Sequence, residues 1–122
     1  ELDHDYTWRI NKALPRRGEI GIFNRSPYEE VVVARIHNLI KSDGMPEELV
    51  RKDIWESRYR QIRDWERYLS ENGFPMVKIF LHLSKNEQTK SLIARIVTKQ
   101  KNWKFDMSDI EERKYWNRYQ KV

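Results

Sequence analysis

The sequence of 122 residues has no cysteine, only four glycines and four prolines, and no apolar run long enough to cross a bilayer. The absence of cysteine excludes disulfide bridges and thiolate metal sites, and it is typical of a reducing compartment. A membrane-spanning helix needs about 20 apolar residues. The first residues also lack the basic start and apolar stretch of a signal peptide. We therefore expect a cytoplasmic protein with no membrane partner.

The composition predicts a small core that is rich in aromatic side chains. Hydrophobic residues make up 39% of the chain and the mean hydropathy is −0.92, so little apolar surface is available for burial. Aromatic residues make up 12% and include five Trp, which argues against a disordered chain. The length predicts one domain at most.

The positive charge is concentrated in one segment. The whole net charge of +5 comes from residues 85–104, which carry six cations and one anion. The other residues contain eighteen cations and eighteen anions. A basic segment in an otherwise neutral chain favours a local anion site, although a solvated helix face would have the same composition.

Apolar spacing and capping signals predict alternating helices and strands. We expect helices at 3–14, 26–44, 47–72, 84–97 and 107–120, with short buried strands at 19–23 and 76–83. Ser26 and Ser84 are predicted N-caps, each followed three residues later by a glutamate, Glu29 and Glu87. Asn72 and Gly73 supply a helix stop.

This order of elements predicts an α/β fold with a parallel sheet and flanking helices. Ligands of open α/β sheets bind beyond the carboxyl ends of the strands, which favours Asn24 and Arg25 as site residues and disfavours Arg16 and Arg17. Two strands are too few for a sheet covered on both faces, so we expect the remaining strands to come from sequence outside this chain or from another chain.

Several motifs resemble one known family. The runs LDHDYTWR (2–9) and LPRRGEIGIFNRS (14–26) are similar to the Walker B region of polyphosphate kinase 2 proteins. FLHLS (80–84), Ala94 with Arg95, and KNWKF (101–105) resemble the next strand and the lid of that family. The chain departs from the family pattern at Asn11, Pro27, Ser91 and Lys99.

The resemblance implies a P-loop kinase-like parallel sheet with a helical lid, incomplete in this chain. Residues 1–122 would form one partial domain, with the Walker B side at 1–83 and the lid and closing helix at 84–122. It implies phosphoryl transfer between polyphosphate and a nucleotide (AMP, ADP or ATP), Mg²⁺ as the cofactor, and a homo-oligomer. The four glycines do not form a Gly-x-x-x-x-Gly-Lys-Ser/Thr loop, so we expect that loop upstream of Glu1 and an inactive isolated chain.

The resemblance also assigns roles to individual residues. Arg25 can fork onto two phosphate oxygens, and Asn24 stands where many Walker B motifs have Asp. Magnesium is assigned to Glu30 or Glu29, and Glu29 is also the predicted carboxylate of the helix cap. The remaining candidates are Arg95 as a catalytic lid residue, Lys101 and Lys104 on phosphates, and Asp3 and Asp5 near the acceptor nucleotide.

Two other interpretations remain open. A basic module that binds RNA or polyphosphate without chemistry would use interleaved aromatic and basic side chains, but most aromatic residues fall on apolar helix faces, so nucleic acid ranks lower as a partner. The long helix predicted at 47–72 could instead pair with a second copy. We expect Trp103 to anchor the basic loop by packing.

Overall fold

The computed structural model of the protein describes residues 4–42 and 44–122, and Glu1, Leu2, Asp3 and Asp43 lie outside the described residues. The chain divides into two compact units, Glu1–Val77 and Lys78–Val122. The prediction of a single partial domain divided at residue 83 stays a prediction. No helix in the described ranges is long and apolar enough to cross a membrane.

The predicted parallel sheet is wrong, because residues 4–42 and 44–122 contain helices and no strand. The two segments predicted as buried strands have exposed apolar side chains, with Ile20 92%, Ile22 91%, Val77 87% and Phe80 85% exposed. A strand satisfies its backbone N–H and C=O groups only through a neighbouring strand. Neither segment has such a neighbour in the described ranges, so a short apolar run alone does not make a strand here.

In its described residues, the first unit contains three α-helices, α1 (Trp8–Lys12), α2 (Glu29–His37) and α3 (Ile54–Glu71). Two 3₁₀ segments, Leu39–Ser42 and Glu47–Leu49, lie between α2 and α3. The helix predicted at 26–44 is therefore shorter, since Asn38 takes a left-handed conformation (φ 54°, ψ 42°) that ends α2. The helices predicted at 3–14 and 47–72 are also shorter than expected.

The core of the first unit lies between α2 and α3. Its buried apolar residues are Val31, Ala34, Ile36, Ile40, Ile62 and Leu69. Val31 and Ile62 are completely buried, and each such side chain stabilises the fold by about 1.5–3 kcal/mol. The core is as small as the composition predicts.

The stop predicted at the end of α3 is confirmed. The N–H of Gly73 donates to the carbonyl of Ser70 at 3.0 Å, and the N–H of Phe74 donates to the carbonyl of Leu69 at 2.9 Å. Gly73 has φ +85°, which an L side chain rarely adopts. These two bonds form a Schellman motif, in which a left-handed glycine satisfies the last carbonyls of the helix.

The second unit contains α4 (Lys85–Val97), α5 (Met107–Glu112) and α6 (Trp116–Tyr119), with 3₁₀ segments at Lys99–Lys104 and Arg113–Tyr115. The predicted cap of α4 forms, since the Ser84 hydroxyl accepts from the Glu87 N–H at 3.2 Å. The helix predicted at 107–120 is interrupted by the second 3₁₀ segment. None of the residues in this unit is fully buried, so polar contacts add to its half-covered apolar side chains in holding it together.

One such contact ties the end of the second unit to α4. The guanidinium of Arg113 donates to the Thr89 hydroxyl at 2.7 Å and to the Gln88 side-chain carbonyl at 3.2 Å. Arg113 follows α5 directly, so these bonds fix the end of α5 against the middle of α4.

Candidate phosphate-binding site

A basic pocket of about 460 Å³ opens in the second unit. Helix α4 and the 3₁₀ segment that follows it supply its walls, which are lined by Lys90, Ser91, Ala94, Arg95, Lys101 and Lys104. Lys90, Ser91, Ala94 and Arg95 are spaced so that they share one face of the helix. Four of the six lining residues are cationic, so the pocket is suited to an anion with several charges.

The 3₁₀ segment is held against α4 by Asn102. Its side-chain amide donates to the carbonyl of Ile96 at 2.6 Å, which satisfies one of the open carbonyls at the end of the helix. The N–H of Lys101 donates to the Thr98 carbonyl at 2.7 Å. The turn thereby places Lys101 and Lys104 on the same pocket as Arg95, as the predicted phosphate site requires.

Two of the four cations are paired with acids. Arg95 Nη1 lies 2.8 Å from Asp109 Oδ2, and both side chains are about two-thirds covered, at 37% and 31% exposure. Lys90 Nζ lies 2.6 Å from Glu87 Oε1 on the helix surface. The pairing orients Arg95 and leaves most of its five N–H donors for a ligand.

Lys101 and Lys104 make no ion pair with any described residue. Lys104 Nζ instead lies 4.9 Å from the centre of the Trp103 ring. Trp103 is 78% exposed, so the prediction that it anchors the loop by packing is wrong. The two lysines are consequently the least neutralised charges of the pocket.

In the first unit, Arg25 and Glu29 contact each other. Arg25 Nε lies 3.6 Å from Glu29 Oε1, with the side chains 81% and 45% exposed. The predicted capping box at Ser26 does not form, because α2 begins at Glu29 and Tyr28 is its N-cap with no side-chain cap bond. Asn24, which precedes Arg25 in sequence, is exposed. The carboxylate predicted to compete for the cap is thus engaged by the predicted catalytic arginine.

Asp5 is held by its own turn. Its Oδ1 accepts from the Thr7 N–H at 2.8 Å and also from the Thr7 hydroxyl. The hydroxyl bond is the main reason that the pKa of Asp5 lies below its ordinary value. His4 stacks on Trp8 with ring centres 4.1 Å apart. The predicted substrate residue Asp3 falls outside the described residues.

Tyr6 stands next to Asp5 and lies close to two more charged groups. Burial raises the pKa of Tyr6, the nearby Arg58 lowers it, and the carboxylates of Asp5 and Glu30 raise it further. Arg58 is only 4% exposed, and its guanidinium carbon lies 3.8 Å from the centre of the Tyr6 ring. The first unit therefore brings Asp5 and Glu30 close to one tyrosine.

The predicted site residues form two groups, one in each unit. Sequence reasoning missed two cations in these groups, Lys90 in the pocket and Arg58 below Tyr6. From the sequence, Lys90 was only one cation of the basic segment and received no role of its own. Arg58 had a clearer signal, since it stands four residues from both Ile54 and Ile62 on the apolar stripe of α3, where a charge is unexpected.

The described residues contain no group of three His, Asp or Glu side chains that could hold a metal by themselves. Mg²⁺ usually takes one or two protein carboxylates and completes its sphere with water and phosphate oxygens. The oxygen donors of Asn24, Glu29 and Glu30 are chemically suited to that kind of site. The donor set therefore fits a magnesium ion shared with a phosphate ligand.

Comparison with known proteins places the chain in a family. The sequence model of Polyphosphate kinase 2 (PPK2) matches residues 1–122. An ADP-polyphosphate phosphotransferase of Rhodopseudomonas palustris is 51% identical over 121 residues, covering 98% of this chain and 42% of that protein. An AMP/ADP-polyphosphate phosphotransferase of Meiothermus ruber is 46% identical over 122 residues, which is 100% of this chain and 42% of that protein.

A solved structure agrees with these matches. The crystal structure of Polyphosphate Kinase 2 from Arthrobacter aurescens TC1 is similar with a TM-score of 0.77 and 39% identity, over 97% of this chain and 38% of that one. The chain thus spans about two-fifths of the length of the relatives it matches. On the match over its whole length, the chain belongs to the polyphosphate kinase 2 family.

Proposed function

We propose that the protein transfers a phosphoryl group between inorganic polyphosphate and a nucleoside mono- or diphosphate. The observation that carries the proposal is the basic pocket of about 460 Å³ that contains Arg95, Lys101 and Lys104. Family membership supports it, as do relatives named as phosphotransferases between polyphosphate and ADP or AMP.

The pocket would hold the polyphosphate chain. Polyphosphate is a line of closely spaced negative charges, so cations that bind it release counterions much as they do on a nucleic-acid backbone. Arg95 can contact two phosphate oxygens at once, whereas Lys101 and Lys104 act as point charges. This division of roles makes Arg95 the residue that orients the chain.

In the proposed reaction, an oxygen of the acceptor's terminal phosphate attacks the terminal phosphorus of polyphosphate. The bridging P–O bond breaks, and its electron pair leaves on a chain that is shorter by one phosphate. The reverse reaction takes the terminal phosphoryl group from ATP or ADP and lengthens the chain. Such transfer depends on positioning and on neutralising phosphate charge, for which Arg25 and Arg95 are suited. Asp5, and Asp3 by resemblance, would contact the acceptor nucleotide.

We also propose that the reaction needs Mg²⁺, which neutralises phosphate charge when bound. Glu30, together with Asn24 or Glu29, would hold the ion and its water.

The remaining family features belong to the same proposal. Residues 84–122 would act as a lid and residues 14–26 as the Walker B region, with a P-loop in sequence outside this chain. We further propose a cytoplasmic homo-oligomer, in which the 122-residue chain alone would be inactive.

A direct assay tests the function. The full-length protein is incubated with polyphosphate, magnesium and either AMP or ADP, and the nucleotide products are separated and measured. We expect ADP or ATP to form, and Arg25→Ala to abolish most of the transfer. Arg51→Ala is the matched control, because Arg51 is likewise exposed and pairs with a nearby acid, Asp53, at 3.5 Å.

The same assay identifies the competing function. No product from either nucleotide in a folded full-length protein would contradict the proposal. In that case, displacement of bound polyphosphate by RNA of equal charge would favour the non-catalytic binding module.

A further inference from the structure

Arg58 places a positive charge inside the first unit. The residue is 4% exposed, and burial deprives its guanidinium of hydration, a cost that only close partners can offset. One such partner is the face of the Tyr6 ring, whose centre lies 3.8 Å from the guanidinium carbon. A cation over an aromatic face is attracted most strongly where water is excluded. Arg58 and Tyr6 are therefore firmly joined.

Tyr6 has a second bond to the same helix. Its hydroxyl donates to Gln61 Oε1 at 3.0 Å, and Gln61 stands one turn after Arg58 on α3. Further along, Trp65 Nε1 donates to Asn11 Oδ1 at 2.8 Å. Three α3 side chains at spacings of three and four residues thus hold the segment from Tyr6 to Asn11.

Asp5 is the residue that this attachment leaves at the surface. It is exposed, it is fixed by the bonds from Thr7, and it lies close enough to Arg58 to respond to that charge. Because Tyr6 is the next residue, a shift of the Tyr6 backbone relative to α3 would also shift Asp5.

We propose that Arg58 is a positioning residue for the acceptor nucleotide: it fixes the turn of Asp5 and Tyr6 on α3 and so determines where the Asp5 carboxylate lies. This inference rests on the proposed function, in which Asp5 contacts the acceptor. A residue that only filled the core would affect stability and both substrates alike, whereas a positioning residue affects nucleotide binding selectively.

Steady-state kinetics of the full-length protein tests the role. We expect Arg58→Met to raise the KM for AMP or ADP by about tenfold or more, because a binding group misplaced by about 1 Å can cost up to about 100-fold. The KM for polyphosphate should stay within about twofold, and Arg58→Lys should recover part of the loss because it keeps the charge. Tyr6→Leu should raise the nucleotide KM at least as much as Arg58→Met, because it removes both the contact with Arg58 and the bond to Gln61. The double variant should be no worse than Tyr6→Leu, since the contact with Arg58 is then already lost.

Arg67→Met is the matched control, an arginine on the same helix with a 68% exposed side chain paired to Asp64, and it should leave both KM values unchanged. If Arg58→Met fails to fold, Arg58→Lys and Tyr6→Leu give the same comparison. Two outcomes would overturn the inference alone, provided that the wild-type protein is active. In one, the folded Arg58 and Tyr6 variants keep the wild-type KM for the nucleotide. In the other, they lose affinity for both substrates equally. A wild-type protein that transfers no phosphate overturns the proposed function first.

Hydrogen exchange adds a structural readout that does not depend on activity. The N–H of Trp8 donates to the Asp5 carbonyl at 3.1 Å and that of Asn11 to the Thr7 carbonyl at 2.9 Å. In folded Arg58→Met we expect both amides to exchange faster, with the amides of α4 unchanged. Unchanged exchange at Trp8 and Asn11 would contradict a positioning role for Arg58.

Discussion

Arg95 and Asp109 form an ion pair at 2.8 Å that joins the basic pocket to the start of α5. The pair lies fourteen residues apart in sequence, so it is a tertiary contact of the second unit rather than a neighbour effect. Its side chains are more covered than those of the other ion pairs described here. The arginine proposed to orient polyphosphate is thereby held in place before a ligand arrives.

We predict that Asp109→Asn destabilises the protein. Both side chains remain about one-third exposed, so solvent screening limits the loss in free energy of unfolding to about 1 kcal/mol. Asp64→Asn removes a more exposed carboxylate from a pair of similar length and should cost about 0.5 kcal/mol or less. Urea unfolding of both variants measures the difference, and equal losses would contradict a structural role for the Arg95 pair.

The salt dependence of polyphosphate binding should report on the two unpaired lysines. Lys101→Ala and Lys104→Ala should each weaken binding and reduce the slope of log affinity against log salt by about one, because each removes one released counterion. Lys121→Ala changes the same charge in the same unit but outside the pocket and serves as the control. Calorimetric titration over a series of KCl concentrations makes the measurement, and an equal effect of Lys121→Ala would refute a localised site.

Acid should weaken the first unit through Asp5. The bond from the Thr7 hydroxyl keeps the pKa of Asp5 below its ordinary value of 3.8. Because the pKa is lower in the folded state than in the unfolded state, ionised Asp5 stabilises the fold fully above pH 3.8. This contribution is lost as the pH falls through the folded-state pKa of Asp5. Thr7→Val removes the hydroxyl and should raise the pKa of Asp5 towards 3.8. NMR titration of the carboxyl group tests this, and an unchanged pKa in the variant would contradict it.

Gly73 should be sensitive to substitution. It has φ +85°, and a Cβ at this position would lie 3.3 Å from Arg17 Nη1. Gly73→Ala should therefore lower the free energy of unfolding by about 1–2 kcal/mol, the usual cost of the left-handed region. Gly73→Asn should lose less, because Asn tolerates that region. Thermal and urea unfolding compare the two, and a larger loss in the Asn variant would argue against backbone strain as the cause.

Two local sequence signals predicted local structure correctly, whereas the predicted capping box at Ser26 did not form. Ser84 is the N-cap of α4 and Gly73 ends α3, because each depends on residues within one turn of the helix. The prediction of a sheet failed because a strand depends on partners elsewhere in sequence, which a local pattern does not reveal. Apolar segments of suitable length and composition at 19–23 and 76–83 have no such partner in the described ranges.

In the candidate site, too, local sequence features were predictable and contacts between distant residues were not. The basic segment was visible from the six cations within residues 85–104, but this pattern left open an anion site or a solvated helix face. The pocket itself depends on the turn that Asn102 holds against α4. The ion pairs of Arg25 with Glu29 and of Arg95 with Asp109 were not predicted. The charge of each residue is evident from the sequence, but its partner is not. The place of Arg58 on the apolar stripe of α3 was a local signal of its burial, but its contact with the Tyr6 ring joins residues far apart in sequence and could not be predicted from that stripe.

The exposure of Trp103 gives the protein a built-in optical probe. The other four tryptophans are each partly covered, whereas the Trp103 ring faces solvent with the Lys104 ammonium group above it. An anion that draws this ammonium group away changes the electric field across the indole. The wavelength of maximum emission of an indole depends on that field. Occupancy of the pocket can thus be read from intrinsic fluorescence, without a dye or a label, in a variant that keeps Trp103 as its sole tryptophan.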